Sequence, residues 1–147
     1  MPSVILRPAD TQDAAALAGL SGELGYPSTE GDLVERLASV LGKDDHLVFV
    51  AEQDGKVVGW LHAFVALRIE SPAFAEIAGL VVARSARGEG LGQQLVQAAS
   101  AWARLKGLQK LRVRSNVARK ESHDFYTRIG FEPLKTQLVY ALNLDAE

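Results

Sequence analysis

The sequence predicts a mixed α/β fold, with one twisted sheet of mixed strand direction and helices on both of its faces. Helical propensity, apolar residues at three- and four-residue spacing and glycine terminators mark four helical segments. Alternating or continuous apolar runs between those segments have the composition of strands. The elements follow in the order β, α, α, β, β, β, α, β, α, β, without an internal repeat, and this order favours a sheet covered on both sides.

Length and composition describe one compact domain, residues 1–147. The chain has 48% hydrophobic and 23% charged residues, and folding at this length buries roughly 68% of the unfolded surface. The absence of cysteine excludes disulfides, thiolate-bound metals and cysteine nucleophiles. No apolar run approaches the roughly 20 residues of a membrane span, and the first ten residues lack the features of a signal peptide. We therefore expect a cytoplasmic protein without a membrane partner.

Charge is divided unevenly along the chain. The formal net charge is −2, yet residues 1–76 carry 12 acidic and 5 basic side chains, whereas residues 77–147 carry 6 acidic and 11 basic ones. A basic C-terminal half suits a phosphorylated ligand and an acidic N-terminal half suits a cationic one, although solvated surface charge explains the same pattern. The overall acidity argues against nucleic acid as a partner.

Two helices are predicted before the main strands. Residues 3–7 alternate weakly as a strand does, and Asp10 is a suitable cap for the helix that follows. Ser28 is the expected cap of a second helix, which Gly42 ends.

A hairpin and a buried strand come next. Residues 47–52 and 56–67 are rich in β-forming side chains and flank Asp54-Gly55, a strong two-residue turn signal, so they should pair as an antiparallel hairpin. Residues 74–82 are predicted to form a buried central strand, because most of them are apolar.

Two helices and two strands are predicted in the rest of the chain. Apolar residues recur at helical spacing from Gly90, and Gly107 is placed to end that helix. Residues 110–115 alternate as a strand does, and a helix over about 119–129 should stop at Gly130. The apolar residues of the expected last strand are Leu138, Val139, Tyr140 and Leu142.

A glycine-rich segment joins the buried strand to the third helix, and its sequence over residues 80–92 is LVVARSARGEGLG. The amides of a helix N-terminus point toward a phosphate-sized space there, and glycine lets the backbone approach a ligand closely. The Gly-Lys-Ser/Thr ending of a P-loop is missing, and a dinucleotide fingerprint that starts at Gly88 would need glycine in place of Gln93. A turn that serves only packing is the other alternative.

Two blocks of residues form a characteristic pair. Arg87, Gly90 and Gly92 fit the pattern R/Q-x-x-G-x-G/A directly after the apolar strand. Further on, Asn116 follows a strand, and the sequence FYTRIGF over residues 125–131 fits F-Y-x-x-x-G-F. In these patterns, their spacing and the order of helices and strands, the chain resembles the GCN5-related N-acetyltransferase (GNAT) superfamily over essentially its whole length.

The resemblance implies a GNAT-like fold and acetyl-CoA as cosubstrate, without a metal. The backbone of Leu80, Val81 and Val82 would hold the pantetheine arm like an added strand. The amides of the next segment would receive the pyrophosphate. Its residues are Arg87, Gly88, Glu89, Gly90, Leu91, Gly92 and Gln93. Asn116 resembles the cofactor-contacting asparagine of the superfamily, whereas Arg119 stands at its commoner spacing, so either residue is a candidate for that contact.

The resemblance also implies direct attack of an amine on the acetyl thioester. Glu76 corresponds to an acid that takes the proton of the incoming ammonium directly or through water, and a solvated carboxylate is the alternative. Tyr126 corresponds to a tyrosine near the thioester sulfur, where a phenol can protonate the departing thiolate. For Tyr126 the alternative is a core aromatic beside Phe125 and Phe131.

The expected acceptor is a primary amine of a small molecule or a peptide, bound by the first two helices and the long hairpin. Acidic character in that part of the chain suits a cationic amine. The candidate pocket residues are Tyr26, Glu30, Trp60 and His62. A homodimer is a further option for the assembly. A module that binds acyl-CoA without turnover is the alternative function.

Overall fold

The computed structural model describes residues 4–23 and 25–145. Within these residues the helices and strands follow the predicted order as far as the fourth helix. Their bounds are β1 Val4–Pro8, α1 Ala14–Glu23, α2 Glu30–Val40, β2 His46–Gln53, β3 Lys56–Ala66, β4 Phe74–Val82, α3 Leu91–Leu105, β5 Leu111–Val113 and α4 Lys120–Arg128. Ser3 of the predicted first strand lies outside the described residues. In the described part of the chain, no helix combines the length and apolar character needed to cross a membrane.

The strands form one mixed sheet in the order β1-β2-β3-β4-β5. The strands β1 to β4 pair antiparallel with their neighbours, and β4 pairs parallel with β5. Asp54 and Gly55 have φ angles of 52° and 81°, the backbone of a two-residue turn that matches the twist of an antiparallel hairpin. The predicted mixed sheet and its hairpin are confirmed.

A bulge shifts the register within the hairpin. Glu52 lies opposite Val57, but the preceding Ala51 lies opposite Gly59. Val58 is therefore an extra residue on β3. One extra residue moves every later side chain of a strand to the other face, so this bulge decides which hairpin residues share a face.

A second bulge lies between β3 and β4. Ala63 lies opposite Ile77, whereas His62 lies opposite Gly79. Ala78 is therefore an extra residue on β4. The glycine at position 79 suggests such a bulge in the sequence, and the register confirms it.

Helices cover both faces of the sheet. Trp60 on β3 packs against a buried cluster that includes Leu17 of α1 and Leu37 of α2. The neighbouring Gly59 faces the other way, and a Cβ on it would lie 3.4 Å from the Cδ1 atom of Leu95 on α3. One face of the sheet thus packs against α1 and α2, and the other packs against α3.

An ion pair ties β1 to the start of α1. Arg7 donates from both terminal guanidinium nitrogens to the two carboxylate oxygens of buried Asp13, at 2.9 and 2.8 Å. These hydrogen bonds lower the pKa of the Asp13 carboxyl. Asp13 also accepts from the amide of Asp10, which caps the 3-10 turn Thr11–Asp13 before α1.

The chain divides into two compact units, Met1–Arg114 and Ser115–Glu147. The first unit contains the sheet with α1, α2 and α3, and the second contains α4. Gly130, with a φ of 110°, follows the end of α4 as predicted. The organisation of residues 1–147 as one functional domain stays a prediction.

The predicted last strand is wrong. Residues 131–143 form neither helix nor strand. Alternating apolar residues give this segment the composition of a strand, but a strand also needs a neighbour to satisfy its backbone hydrogen bonds. The described sheet ends at β5, and its order contains no strand from this segment. The side chains expected in the strand are exposed; they are Leu138, Val139, Tyr140 and Leu142.

Two predicted boundaries also shift. Thr29, and not Ser28, caps α2, because the Thr29 hydroxyl accepts from the amide of Asp32 at 3.0 Å. The carboxylate of Asp32 accepts from the amide of Thr29 in return, which completes a capping box. The strand expected over 110–115 is reduced to the three residues of β5, which are those in register with β4.

Candidate active site

The strand β4 leads directly into the glycine-rich segment. The amide of Ala83 still donates to the carbonyl of Val58 at 2.8 Å, and a 3-10 turn, Arg84–Ala86, then redirects the chain. Arg87 folds back, and its Nε donates to the carbonyl of Val82 at 3.3 Å while the side chain stays exposed. The cofactor residues predicted between positions 80 and 93 thus lie in one continuous strand, turn and helix start.

The helix α3 begins on glycines with a backbone that other residues rarely adopt. Gly88 and Gly90 have φ angles of 84° and 80°, and Gly90 is the N-cap of α3. A Cβ on either glycine would have no neighbouring atom within 4 Å, so open space lies beside both. The amide of Gln94 donates to the carbonyl of Gly90, and the amides just before it have no acceptor within the helix. Open space, outward amides and the cationic Arg87 fit an anionic group such as a pyrophosphate.

Glu76 is a buried carboxylate within the sheet. It lies on β4 opposite Phe64, and only 7% of the residue is exposed. Its Oε1 accepts from the Nε of Arg114 at 3.4 Å, and Arg114 is itself more than half exposed. A buried carboxylate needs a partner, and this guanidinium supplies one. The arrangement differs from the solvated carboxylate considered as the alternative for this position.

The indole of Trp60 occupies the space beside Gly79. A Cβ on Gly79 would lie 2.6 Å from the Cη2 atom of Trp60 and 2.8 Å from its Cζ3 atom. Trp60 and Gly79 lie on the same face of the sheet as Glu76. Gly79 lies opposite His62 and Glu76 lies opposite Phe64, and Trp60, His62 and Phe64 are alternate residues of β3. The indole and a side chain at position 79 exclude each other, so this bulge requires glycine.

Two histidines share that face. The Nδ1 atom of His46 and the Nε2 atom of His62 are 2.9 Å apart, and the rings stack with centroids separated by 5.2 Å. Phe64 stacks on His46 at a centroid distance of 6.0 Å and lies opposite Glu76. Burial, and secondarily the charge of His46, lowers the pKa of His62, which favours a neutral imidazole at pH 7.

The four predicted pocket residues separate into two groups. Trp60 and His62 lie on the same face of the sheet as Glu76. Tyr26 lies in the connection between α1 and α2 with 59% of its surface exposed, and Glu30 is the first residue of α2. The register therefore associates the first two with the buried acid.

The second unit carries Asn116, Arg119 and Tyr126. The side-chain oxygen of Asn116 accepts from the amide of Ala118 at 2.9 Å, and its carbonyl accepts from the amide of Arg119 at 2.9 Å. The same carbonyl lies 2.8 Å from the Nε2 atom of His123. Asn116 thus shapes the turn that starts α4, and Arg119 is the N-cap of that helix.

Tyr126 is held between two aromatic rings of the second unit. Its ring meets those of Phe125 and Phe131 edge-on, with centroids 5.2 and 5.5 Å away. Burial raises the pKa of the Tyr126 phenol above its usual value. The phenol therefore keeps its proton at neutral pH, which is the state that a proton donor needs.

The chain belongs to the acetyltransferase (GNAT) family, whose pattern it matches over residues 15–131. The match begins in α1 and runs through the glycine-rich segment to the end of the FYTRIGF motif. The protein is thus an N-acetyltransferase of the GNAT type, as the resemblance in its motifs implies.

Its relatives act on different amines. An aminoglycoside N(6')-acetyltransferase type 1 of Stenotrophomonas maltophilia is 31% identical over 147 residues, which cover 95% of this chain and 94% of that protein. An aminoalkylphosphonate N-acetyltransferase of Salmonella typhimurium is 28% identical, with coverage of 97% and 94%. Among solved structures, the aminoglycoside N-acetyltransferase AAC(6')-Iy in complex with CoA has a TM-score of 0.86 at 20% identity, over 97% of this chain and 96% of that one. The predicted family and fold are confirmed.

Two residues of the site were not identified from the sequence. In the sequence, Arg114 is only one of the basic residues of the C-terminal half. Its contact with Glu76 depends on the parallel pairing of β4 with β5. His46 carries no motif. The Asp54-Gly55 turn predicts that the two strands pair, but the bulge at Val58, which no sequence signal marks, puts His46 and His62 on one face.

Substitution of Gly79 tests the contact that fixes the second bulge. Gly79→Ala places a carbon within 2.6 Å of the Trp60 ring, so we expect overpacking to lower the free energy of unfolding by about 1–3 kcal/mol. Gly22→Ala on α1, where no atom lies within 4 Å, is the matched control and should be neutral or stabilising. Urea unfolding measures both variants.

The smaller ring of Trp60→Phe should restore part of the stability that Gly79→Ala loses. Wild-type stability of Gly79→Ala by itself would contradict the steric role of the indole.

Proposed function

We propose that this protein transfers an acetyl group from acetyl-CoA to the primary amine of a small polar molecule. The observation that carries the proposal is the order of two features along the chain. The buried acid Glu76 lies on β4, and the end of β4 continues through a turn into the start of α3 over residues 80–93. An anion-binding helix start and a group that can take up a proton are what direct acyl transfer to an amine requires.

The chain offers two kinds of contact for acetyl-CoA. The backbone of Leu80, Val81 and Val82 would pair with the pantetheine arm as an added strand. The amides from Arg87 to Gln93 would hold the pyrophosphate, and Asn116 or Arg119 of the second unit would add a further contact. When bound, acetyl-CoA supplies the acetyl thioester and a thiolate leaving group.

Two side chains would handle the protons. Glu76 attracts the ammonium of the acceptor and takes its proton, or orders a water that takes it, while Arg114 holds the carboxylate in place. The phenol of Tyr126 donates its proton to the departing sulfur. Neither step forms a bond to the protein, so no nucleophilic side chain is required.

The acceptor is a small amine that is cationic in solution. The acidic residues 1–76 favour the approach of such a cation, and Glu76 provides a buried negative charge. The names of two relatives refer to aminoglycosides and aminoalkylphosphonates, which are amines on small polar molecules, and they support the same class here. A homodimer stays a prediction.

The reaction is tested by thioester consumption with a panel of amines. We expect turnover with at least one aminoglycoside, aminoalkylphosphonate or other small polar amine. Glu76→Gln should lower kcat roughly 100-fold and leave CoA affinity nearly unchanged, because it removes proton transfer and not cofactor binding. Glu70→Gln removes the same charge at an exposed position and should keep the wild-type rate.

Wild-type activity of Glu76→Gln would contradict the role of the carboxylate. Binding of acetyl-CoA without thioester consumption on any amine would favour the non-catalytic module instead.

Gly92 tests the pyrophosphate contact without straining the backbone. It lies in the first turn of α3, and valine has a higher helix propensity than glycine, so the substitution keeps the helical backbone. The branched side chain should obstruct the helix start and weaken CoA binding by more than about tenfold. Calorimetric titration of Gly92→Val measures this loss, with Gln97→Val on the exposed face of the same helix as control. Equal CoA affinity in the two folded variants would refute the contact.

Tyr126→Phe separates proton donation from packing because it removes one oxygen and keeps the ring. Stability should change by no more than about 1 kcal/mol, and CoA affinity should change little. The kcat should fall roughly 10- to 1000-fold, since the charge on sulfur develops only as the thioester breaks. Tyr140→Phe removes the same oxygen from an exposed residue and should have no effect. Full turnover of a stable Tyr126→Phe variant would return Tyr126 to a packing role.

A further inference from the structure

The proposed reaction leaves one proton for the protein to remove. An acceptor that enters as an ammonium loses two protons from nitrogen when it becomes an amide, and the departing sulfur takes up one of them. The other must reach solvent in every turnover. A proton acceptor near Glu76 with a path to the surface would serve this need, and the inference below therefore rests on the proposed function.

We propose that His62 receives the ammonium proton from Glu76, or from the water that Glu76 orders, and that His46 passes a proton on to solvent. The hydrogen bond between the rings joins Nε2 of His62 to Nδ1 of His46, which leaves Nδ1 of His62 and Nε2 of His46 free at the two ends. His62 takes up a proton at Nδ1, its Nε2 proton moves to Nδ1 of His46, and the Nε2 proton of His46 passes to water. One proton enters and one leaves, and both rings end neutral. After the product leaves, water takes the Nδ1 proton of His62 and returns a proton to Nε2 of His46, and the proton between the rings moves back to Nε2 of His62, which restores the first tautomers.

The strand register places His62 near the acid. Phe64 lies opposite Glu76, and His62 is two residues earlier on the same face of β3. Residues that are diagonal across antiparallel strands are roughly 7–8 Å apart, a span that an ordered water can bridge. The ammonium held by Glu76 can therefore reach His62 through one water.

His46 lies at the solvent end of the pair. It is the first residue of β2 and is partly exposed. The preceding residues Lys43, Asp44 and Asp45 are all exposed, so water reaches this end of the strand. The two carboxylates favour the arrival of a proton there, because their negative charge stabilises it.

The charged groups around the pair are compatible with a neutral resting state. On the sheet, Glu76 is paired with Arg114, Arg112 in register with Glu76 lies over the ring of Phe74, and Arg7 of β1 is paired with Asp13. The last turn of α2 packs toward Val48 through apolar residues, and α1 carries a charge only at its end, in Glu23. The charged residues of α2 lie earlier in the helix and are Glu30, Asp32, Glu35 and Arg36.

The burial of His62 also favours its neutral form. It lowers the pKa of His62, so the ring is neutral at pH 7 and available to accept a proton.

An NMR titration tests the pair without turnover. Between about pH 5 and pH 9 the imidazole nitrogens of His62 should titrate below the usual pKa of histidine, because burial and the charge of His46 lower it. In His46→Gln the remaining His62 should titrate as a single group with a different midpoint. Independent titration of the two rings in the wild-type protein would overturn the proposal.

Kinetics with two acceptor amines test the proton path. His62→Gln keeps a hydrogen-bonding group beside His46 but cannot titrate. Its kcat/KM at pH 7 should fall roughly 10- to 100-fold with an amine that is protonated at this pH, and should stay near wild type with an amine whose pKa lies below it. Phe64→Leu removes a stacked ring and no proton acceptor, so any loss should be the same with both amines.

Equal losses of His62→Gln with both amines would overturn the proposal. Circular dichroism and CoA binding on the same preparations establish that the variants are folded. His46→Gln should show the same dependence on the protonation of the amine with a smaller loss, and it decides the question if His62→Gln does not fold. If wild-type protein acetylates no amine, the proposed function fails, and the NMR titration then decides the proposal about the pair.

Discussion

The contact between the Trp60 indole and the bare backbone of Gly79 fixes the register on which the site depends. The ring occupies the position that a Cβ at residue 79 would take, and the extra residue Ala78 lies directly beside it. With this register Glu76 faces α1 and α2 together with Trp60 and His62. A slip of one residue would turn the carboxylate toward α3, because neighbouring side chains of a strand point to opposite faces.

Strand β4 has a negatively charged group in its first half and positively charged groups after its end. The buried carboxylate of Glu76 lies in its first half, and the outward amides of α3 with Arg87 follow its last residue. At about 3.3 Å per residue the six steps from Glu76 to Val82 span roughly 20 Å. An extended ligand with an anionic end at α3 and a reactive end at the acid would lie along β4. In the proposed reaction the negative charge would face the amine and the positive charge would face the phosphates.

The sequence predicted correctly those structural features that depend on residues close together in the chain. It failed for the last strand, which would need a distant strand to pair with. The Asp54-Gly55 turn and the Gly90 start of α3 need only their own backbone angles, and both were predicted at the correct residues. The segment after α4 has the alternation of a strand but pairs with none of the described strands. Exposure of Leu138 and Tyr140 follows, since apolar alternation cannot supply the missing neighbour.

The sequence by itself determined the family, the order of elements up to α4 and the glycine-rich helix start, because motifs, turns and caps depend on residues close together in the chain. Only the tertiary structure decided which side chains meet. A two-residue turn without a bulge would place His46 opposite Ala63 and send His62 to the other face. The extra residue Val58 reverses this and brings the two imidazoles within 2.9 Å. The partner of Glu76 likewise follows from the pairing of β4 with a strand more than thirty residues away, which no local pattern specifies.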